Sequence, residues 1–154
     1  MQSVHGTLPE TTTVRIQVPA RREQLALVRA LADAVTVDAE FRAEDIADIR
    51  LALNEVATAL VVEAVPGSMI DCRFTYGRDR MSVEVNSAAW ANRGVKQRDF
   101  GWRIVRSLTT QATASQQPFD ITVSGYPTHV EFDWRRDAPK ADQRIPGDDD
   151  GDQD

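Results

Sequence analysis

AEDIADIRLALNEVATALVVEA, residues 43–64, decides how the rest of this chain is read. Ile46, Ile49, Leu53, Val56 and Leu60 recur at three- and four-residue steps, the spacing of one helix face. Leu51, Ala52, Glu55, Ala59 and Val62 fall on an adjoining face. A helix apolar on two sides is expected to be sandwiched rather than laid on a surface. Pro66-Gly67 ends it.

Working outward toward the N-terminus, Leu25, Val28, Leu31 or Ala32, and Val35 predict a shorter helix from about Arg21, joined to the long one by the polar stretch 38–42. Before it, Val14, Ile16 and Val18 alternate with Arg15 and Gln17, the period of a half-buried strand that Pro19 closes. Toward the C-terminus, Ile70, Cys72, Phe74 and Tyr76 alternate with polar residues. The turn signal 77–80 follows, and Met81, Val83 and Val85 alternate again, which predicts a hairpin. Residues 87–99 lack a period and read as a loop. Residues 100–110 read as a short helix with Ile104, Val105 and Leu108 inward. Short strands are expected at 112–116 and 121–123, and a last strand through Val130, Phe132 and Trp134. The order predicts an α+β two-layer sandwich: a mixed, mostly antiparallel sheet with three helices on one face.

The chain has 154 residues, 42% of them hydrophobic and 27% charged, enough for one domain with a core of its own. A single cysteine, Cys72, excludes an internal disulfide and a multi-cysteine zinc site, and its alternation with Ile70 and Phe74 reads as core. No apolar run approaches a membrane span, residues 1–13 lack the apolar centre of a signal peptide, and the expected location is the cytoplasm. The net charge of −6 argues against direct nucleic-acid binding. From Asp137 onward, seven Asp face Lys140 and Arg144, a net of −5, which leaves the remainder near −1. The division expected is a flexible N-terminus 1–12, a folded domain 13–136 and a disordered acidic tail 137–154. The tail reads as solvated chain, with an anionic decoy as the alternative. His5 and His129 lack a partner at ligand spacing and read as structural or exposed.

The stretch from Asp48 to Ala59 resembles the N-box helix of the GHKL ATPases, closest to the RsbW-like branch of anti-sigma factors that are also serine-protein kinases. The family pattern D-x-x-x-A-x-x-E-x-x-x-N is met by Asp48, Ala52 and Glu55. The strand ending in Pro19-Ala20 fits the branch, and residues 99–105, DFGWRIV, look like a worn G-x-G-L-x-I-V helix start. The resemblance spans residues 12–136. It implies the histidine-kinase-like (Bergerat) ATPase fold, with a helix Glu as general base, an Asn one turn later on Mg²⁺, an Asp on the adenine amino group and a Gly beside the base.

The departures fall on those anchors. Glu55 is present as the general base of an active enzyme, but Ala59 stands where the Asn would be and offers no metal-ligating oxygen. Asn54 lies about 100° around the helix from Glu55 and is a poor substitute. Ser87 and Ala89 occupy the Asp and Gly positions; a one-residue slip that would use Asn86 spoils the strand register. The lid retains Gly94 with Arg93, Lys96 and Arg98, and Gly101 follows at the helix start. Its cations either attract a phosphate or belong to a solvated loop. Trp90 and Trp102 flank the pocket and are expected to pack, filling an emptied adenine site being the alternative.

The resemblance therefore implies an anti-sigma factor that sequesters an alternative sigma factor and is released by an anti-anti-sigma (STAS-type) antagonist. ATP and Mg²⁺ binding is expected to be weak or absent. The alternative is an active ATP-dependent kinase phosphorylating a Ser of the antagonist, with Glu55 as the base. A detached ATPase-like domain with an unrelated task is a third reading. Partner contacts are expected at Arg21, Arg22, Glu23 and Arg29 on and before the first helix, and a homodimer is implied.

Overall fold

Period-two alternation carries through into burial. Ile70, Cys72, Phe74 and Tyr76 are buried, as are Met81, Val83 and Val85 on the next strand and Val130, Phe132 and Trp134 on the last. Their neighbours in sequence stand on the opposite, polar face, which is how an antiparallel sheet with one covered side reads. The computed structural model describes residues 10–93, 100–136 and 138–143.

The strands are β1 (Thr12–Pro19), β2 (Met69–Tyr76), β3 (Arg80–Ala89), β4 (Gln111–Gln116) and β5 (Tyr126–Arg135). The helices are α1 (Leu25–Asp38), α2 (Ala43–Val62) and α3 (Phe100–Leu108), with 3₁₀ turns at Arg22–Gln24 and Ala141–Gln143. The sheet order is β1-β2-β3-β5-β4. Every pairing is antiparallel, so the mixed sheet expected from the sequence is in fact uniform. Both hairpins, β2–β3 and β4–β5, reverse the chain locally, and β5 enters beside β3 in the reversed sense. Among the described residues no helix is long and apolar enough to cross a membrane.

The helices cover one face. Leu25, Val28, Ala32 and Val35 of α1 and Ile49, Leu53, Val56 and Leu60 of α2 join the strand residues in one cluster, with Trp102 and Val105 from α3. Removing that apolar surface from water drives the assembly, at roughly 25 cal/mol per Å². Exposed polar bonds stitch α1 to α2: Arg29 donates to Asn54 Oδ1 from Nε (3.0 Å) and Nη2 (2.8 Å), and Arg50 Nε lies 2.6 Å from Asp33 Oδ1. The link between these helices is anchored by Phe41, buried edge-on against Trp134 at 4.6 Å between centroids.

Four local expectations change. The second apolar stripe of α2 is only partly covered: Ala52 is fully buried and Glu55 half-buried, whereas Leu51 and Val62 are 45% and 54% exposed and Ala59 is exposed as well. Residues 87–89 belong to β3 rather than to a loop, since pairing with β5 continues as far as Ala89↔Tyr126. Residues 121–123 form no strand. Asp120 Oδ1 accepts from the Thr122 N–H (2.8 Å) and hydroxyl (2.6 Å), Ser124 takes a positive φ of 56°, and Ile121 is 82% exposed. Finally, residues 138–143 pack back on α3: the Ala141 N–H donates to Thr109 O (2.8 Å) and Lys140 Nζ to Leu108 O (3.1 Å), so ordered chain extends beyond the boundary expected at 136. Residues 144–154 of the acidic stretch, and 1–9 at the other end with His5, lie outside the described residues.

Candidate functional site

Glu55 sits midway along α2, half-buried, between the covered face of the helix and its open stripe of Leu51, Ala59 and Val62. Its carboxylate turns toward the first turn of α3: a Cβ built on Gly101 would lie 3.1 Å from Glu55 Oε2. Two positions 46 residues apart, singled out separately from the sequence, thus meet. The partial positive charge at the start of a helix favours a carboxylate there.

The other anchor positions are less complete. Ala59 lies one turn beyond Glu55 with its methyl exposed. Ser87 follows the inward phase of Val83 and Val85, and its hydroxyl oxygen is buried without a hydrogen-bond partner among the described residues. Ala89, also inward, is buried and closes against the far hairpin: a Cβ on Gly125 would come within 2.6 Å of both Ala89 O and Val65 Cγ2. Sequence reading did not single out Gly125, since nothing local betrays so close an approach. Gly94, Lys96 and Arg98 lie outside the described residues. Trp102 is buried at the start of α3 with its indole N–H unpartnered among the described residues, consistent with packing. Trp90 is 54% exposed and stacks under the Arg93 guanidinium at 5.1 Å, so it does not fill a pocket. Arg93 also approaches Glu63 at 3.9 Å.

Direct Mg²⁺ ligation needs several oxygens in octahedral array. Along this face of α2, Glu55 is followed by the methyl of Ala59, and the neighbouring Asn54 oxygen is taken by Arg29. Asp48 is drawn the other way, its Oδ2 3.6 Å from Lys140 Nζ. These residues do not fit a magnesium ion held as in the ATPase pattern.

No family model matches the chain. Two curated relatives do, both named anti-sigma-F factor RsbW, from Mycobacterium tuberculosis strains CDC 1551 / Oshkosh and H37Rv. Each is 32% identical over 125 residues, covering 81% of this chain and 74% of the relative. The chain belongs to the RsbW family of anti-sigma factors.

Within an RsbW-family chain, the junction between β1 and α1 gains interest. Arg21, Arg22 and Glu23 are exposed there, Arg22 and Glu23 on the 3₁₀ turn that leads into α1. Arg29, further along α1, is exposed but already engaged with Asn54. A hollow of about 1150 Å³ lies at the β2–β3 turn and the polar face of the sheet, lined by Thr13, Asp38, Arg73, Tyr76 and Arg80 among others; none of the nucleotide-pocket positions belongs to it. One titratable grouping escapes a reading of the sequence alone. His129, expected to lack a partner at ligand spacing, stands on the open sheet face with Glu84 and Glu131. The signal was present as alternation within β5, but the register that brings Glu84 beside it is not local.

Proposed function

We propose that this chain is an anti-sigma factor that sequesters an alternative sigma factor in the cytoplasm and is released by an anti-anti-sigma antagonist, with nucleotide binding weak or lost. The carrying observation is the 32% identity to anti-sigma-F factor RsbW across 81% of the chain. The state of the anchors supports the loss of nucleotide binding: Ala59 offers no oxygen, and Ser87 offers a neutral acceptor where the family uses a charged one. Gripping a protein requires a stable fold and an exposed surface, and both survive such losses. The exposed Arg21, Arg22, Glu23 and Arg29 are the surface we assign to partner contact, and a homodimer is the assembly.

The test is transcription in vitro. The purified chain should silence RNA polymerase loaded with its alternative sigma factor and leave the housekeeping holoenzyme active. Equal inhibition of both, or of neither across the alternative sigma factors of the source cell, refutes the reading.

The active-kinase reading is favoured by one observation, the half-buried Glu55 carboxylate beside the start of α3. Phosphorylation of the antagonist that disappears in Glu55→Gln would establish it.

A further inference from the structure

The open face of the sheet carries a set of groups unrelated to the Glu55 cradle, which lies on the helix side. Glu84 of β3 stands directly opposite Glu131 of β5, and Asn86 directly opposite His129. His129 and Glu131 are two apart on one strand and share that face. One ligand atom from each of Glu84, His129 and Glu131 lies within 4.8 Å of the others. All three residues are half-buried, supplied by two adjacent strands inside the sheet.

Two features set this apart from a chance grouping of surface charge. First, the imidazole is oriented from behind. Its Nδ1 lies 2.7 Å from Asn86 Oδ1, so the tautomer with the proton on Nδ1 donates to that oxygen and leaves Nε2 to ligate. A metal-binding histidine is characteristically held this way, its second nitrogen donating to an oxygen. Second, that nitrogen faces a carboxylate: Nε2 is 3.6 Å from Glu131 Oε2. In the Nδ1-protonated tautomer a cation between these two acceptors relieves their repulsion, and it does the same for the two carboxylates directly across the ladder. A tetrahedral zinc ion with bonds of about 2.0 Å sets its ligand atoms about 3.3 Å apart, close to this separation. The remaining contacts steady the carboxylates: Ser82 Oγ donates to Glu131 Oε1 (3.3 Å) and Arg73 Nη1 to Glu84 Oε2 (3.5 Å).

We propose that Glu84, His129 and Glu131 form a binding site for a divalent transition-metal cation of the zinc type, bridging β3 and β5 on the open face. An imidazole with two carboxylates selects such ions over Mg²⁺ or Ca²⁺, which prefer all-oxygen sets. With three protein ligands, a fourth position stays open to water or to a partner's side chain.

The experiment is calorimetric titration of the full chain with ZnCl₂ after chelator treatment, repeated on His129→Ala, Glu84→Gln and, as a control, His5→Ala. The expected result is one saturable site per chain, weakened at least about ten-fold by His129→Ala and by Glu84→Gln and unchanged by His5→Ala. Circular dichroism checks that each variant is folded. Should His129→Ala fail to fold, cobalt(II) added to Glu84→Gln gives the second readout, as the visible absorption expected of the native site should be lost. Absence of saturable binding overturns the proposal. So does undiminished binding in His129→Ala, which would assign the zinc to the acidic tail.

Discussion

Glu55 and Gly101 are in contact range across the α2–α3 seam: an alanine methyl at position 101 would stand 3.1 Å from Glu55 Oε2, so any side chain there meets the carboxylate. The obstruction is the far end of a flexible side chain. Gly125 differs, because the atoms 2.6 Å away there include the Ala89 backbone carbonyl. Gly101→Ala should therefore stay within about 1 kcal/mol of the parent, the helix-propensity gain offsetting the crowding. Gly125→Ala should cost roughly 1–3 kcal/mol through overpacking. Urea unfolding midpoints compare the two, and equal losses would contradict the difference in what yields.

Ala59 occupies an exposed position one turn from Glu55. Ala59→Asn should be tolerated by the fold, at a helix-propensity cost below about 0.7 kcal/mol. It should also confer a Mg²⁺-dependent gain in ATP affinity of roughly ten-fold, the scale of one bond to a charged group. Calorimetric titration with ATP, with and without Mg²⁺, reads this out. Strong Mg²⁺ dependence already present in the parent chain would refute the degenerate-anchor reading.

Burial, with a smaller contribution from the Asp71 charge, pushes the Cys72 thiol from its ordinary 9.0 up to about 12. The unfolded chain ionises this thiol first, so the raised folded value contributes stability that is intact below about pH 9 and is lost as pH rises toward 12. Cys72→Ala should flatten the stability–pH curve in that window by up to about 1.4 kcal/mol per pH unit. In the folded parent at pH 8 the thiol should resist a disulfide reagent that labels it at once in denaturant.

Phe41 ties the turn between α1 and α2 to β5 through its edge-on contact with Trp134. Phe41→Ala should cost about 3–5 kcal/mol, whereas Phe41→Leu should recover much of that loss. Thermal and denaturant unfolding measure both. A loss below about 1 kcal/mol for the alanine variant would mean that the turn is anchored by other contacts.

The legible part of this protein was local. Period two named the strands through Ile70–Tyr76 and Val130–Trp134, and period 3.6 named α1 and α2 nearly to their ends. The spacing from Asp48 to Glu55 pointed to the family that comparison with RsbW supports. Those features survive because side-chain direction along a helix or strand follows from backbone geometry alone. Residues 121–123 misled for a related reason: their apolar alternation is real, but the Asp120 side chain captures the Thr122 backbone N–H and turns the chain first.

What the amino-acid order determined by itself, then, is which segments are helix or strand, which side of each is apolar, and that the oxygen expected at position 59 is missing. Only the tertiary structure decided that α2 keeps an open stripe, that Glu55 meets Gly101, that Gly125 closes on Ala89, and that Glu84 stands across from Glu131 beside His129. The physical reason is distance along the chain. Local periodicity sets where a side chain points, whereas its partner is chosen by strand register and helix packing, which are settled only when the whole core is buried.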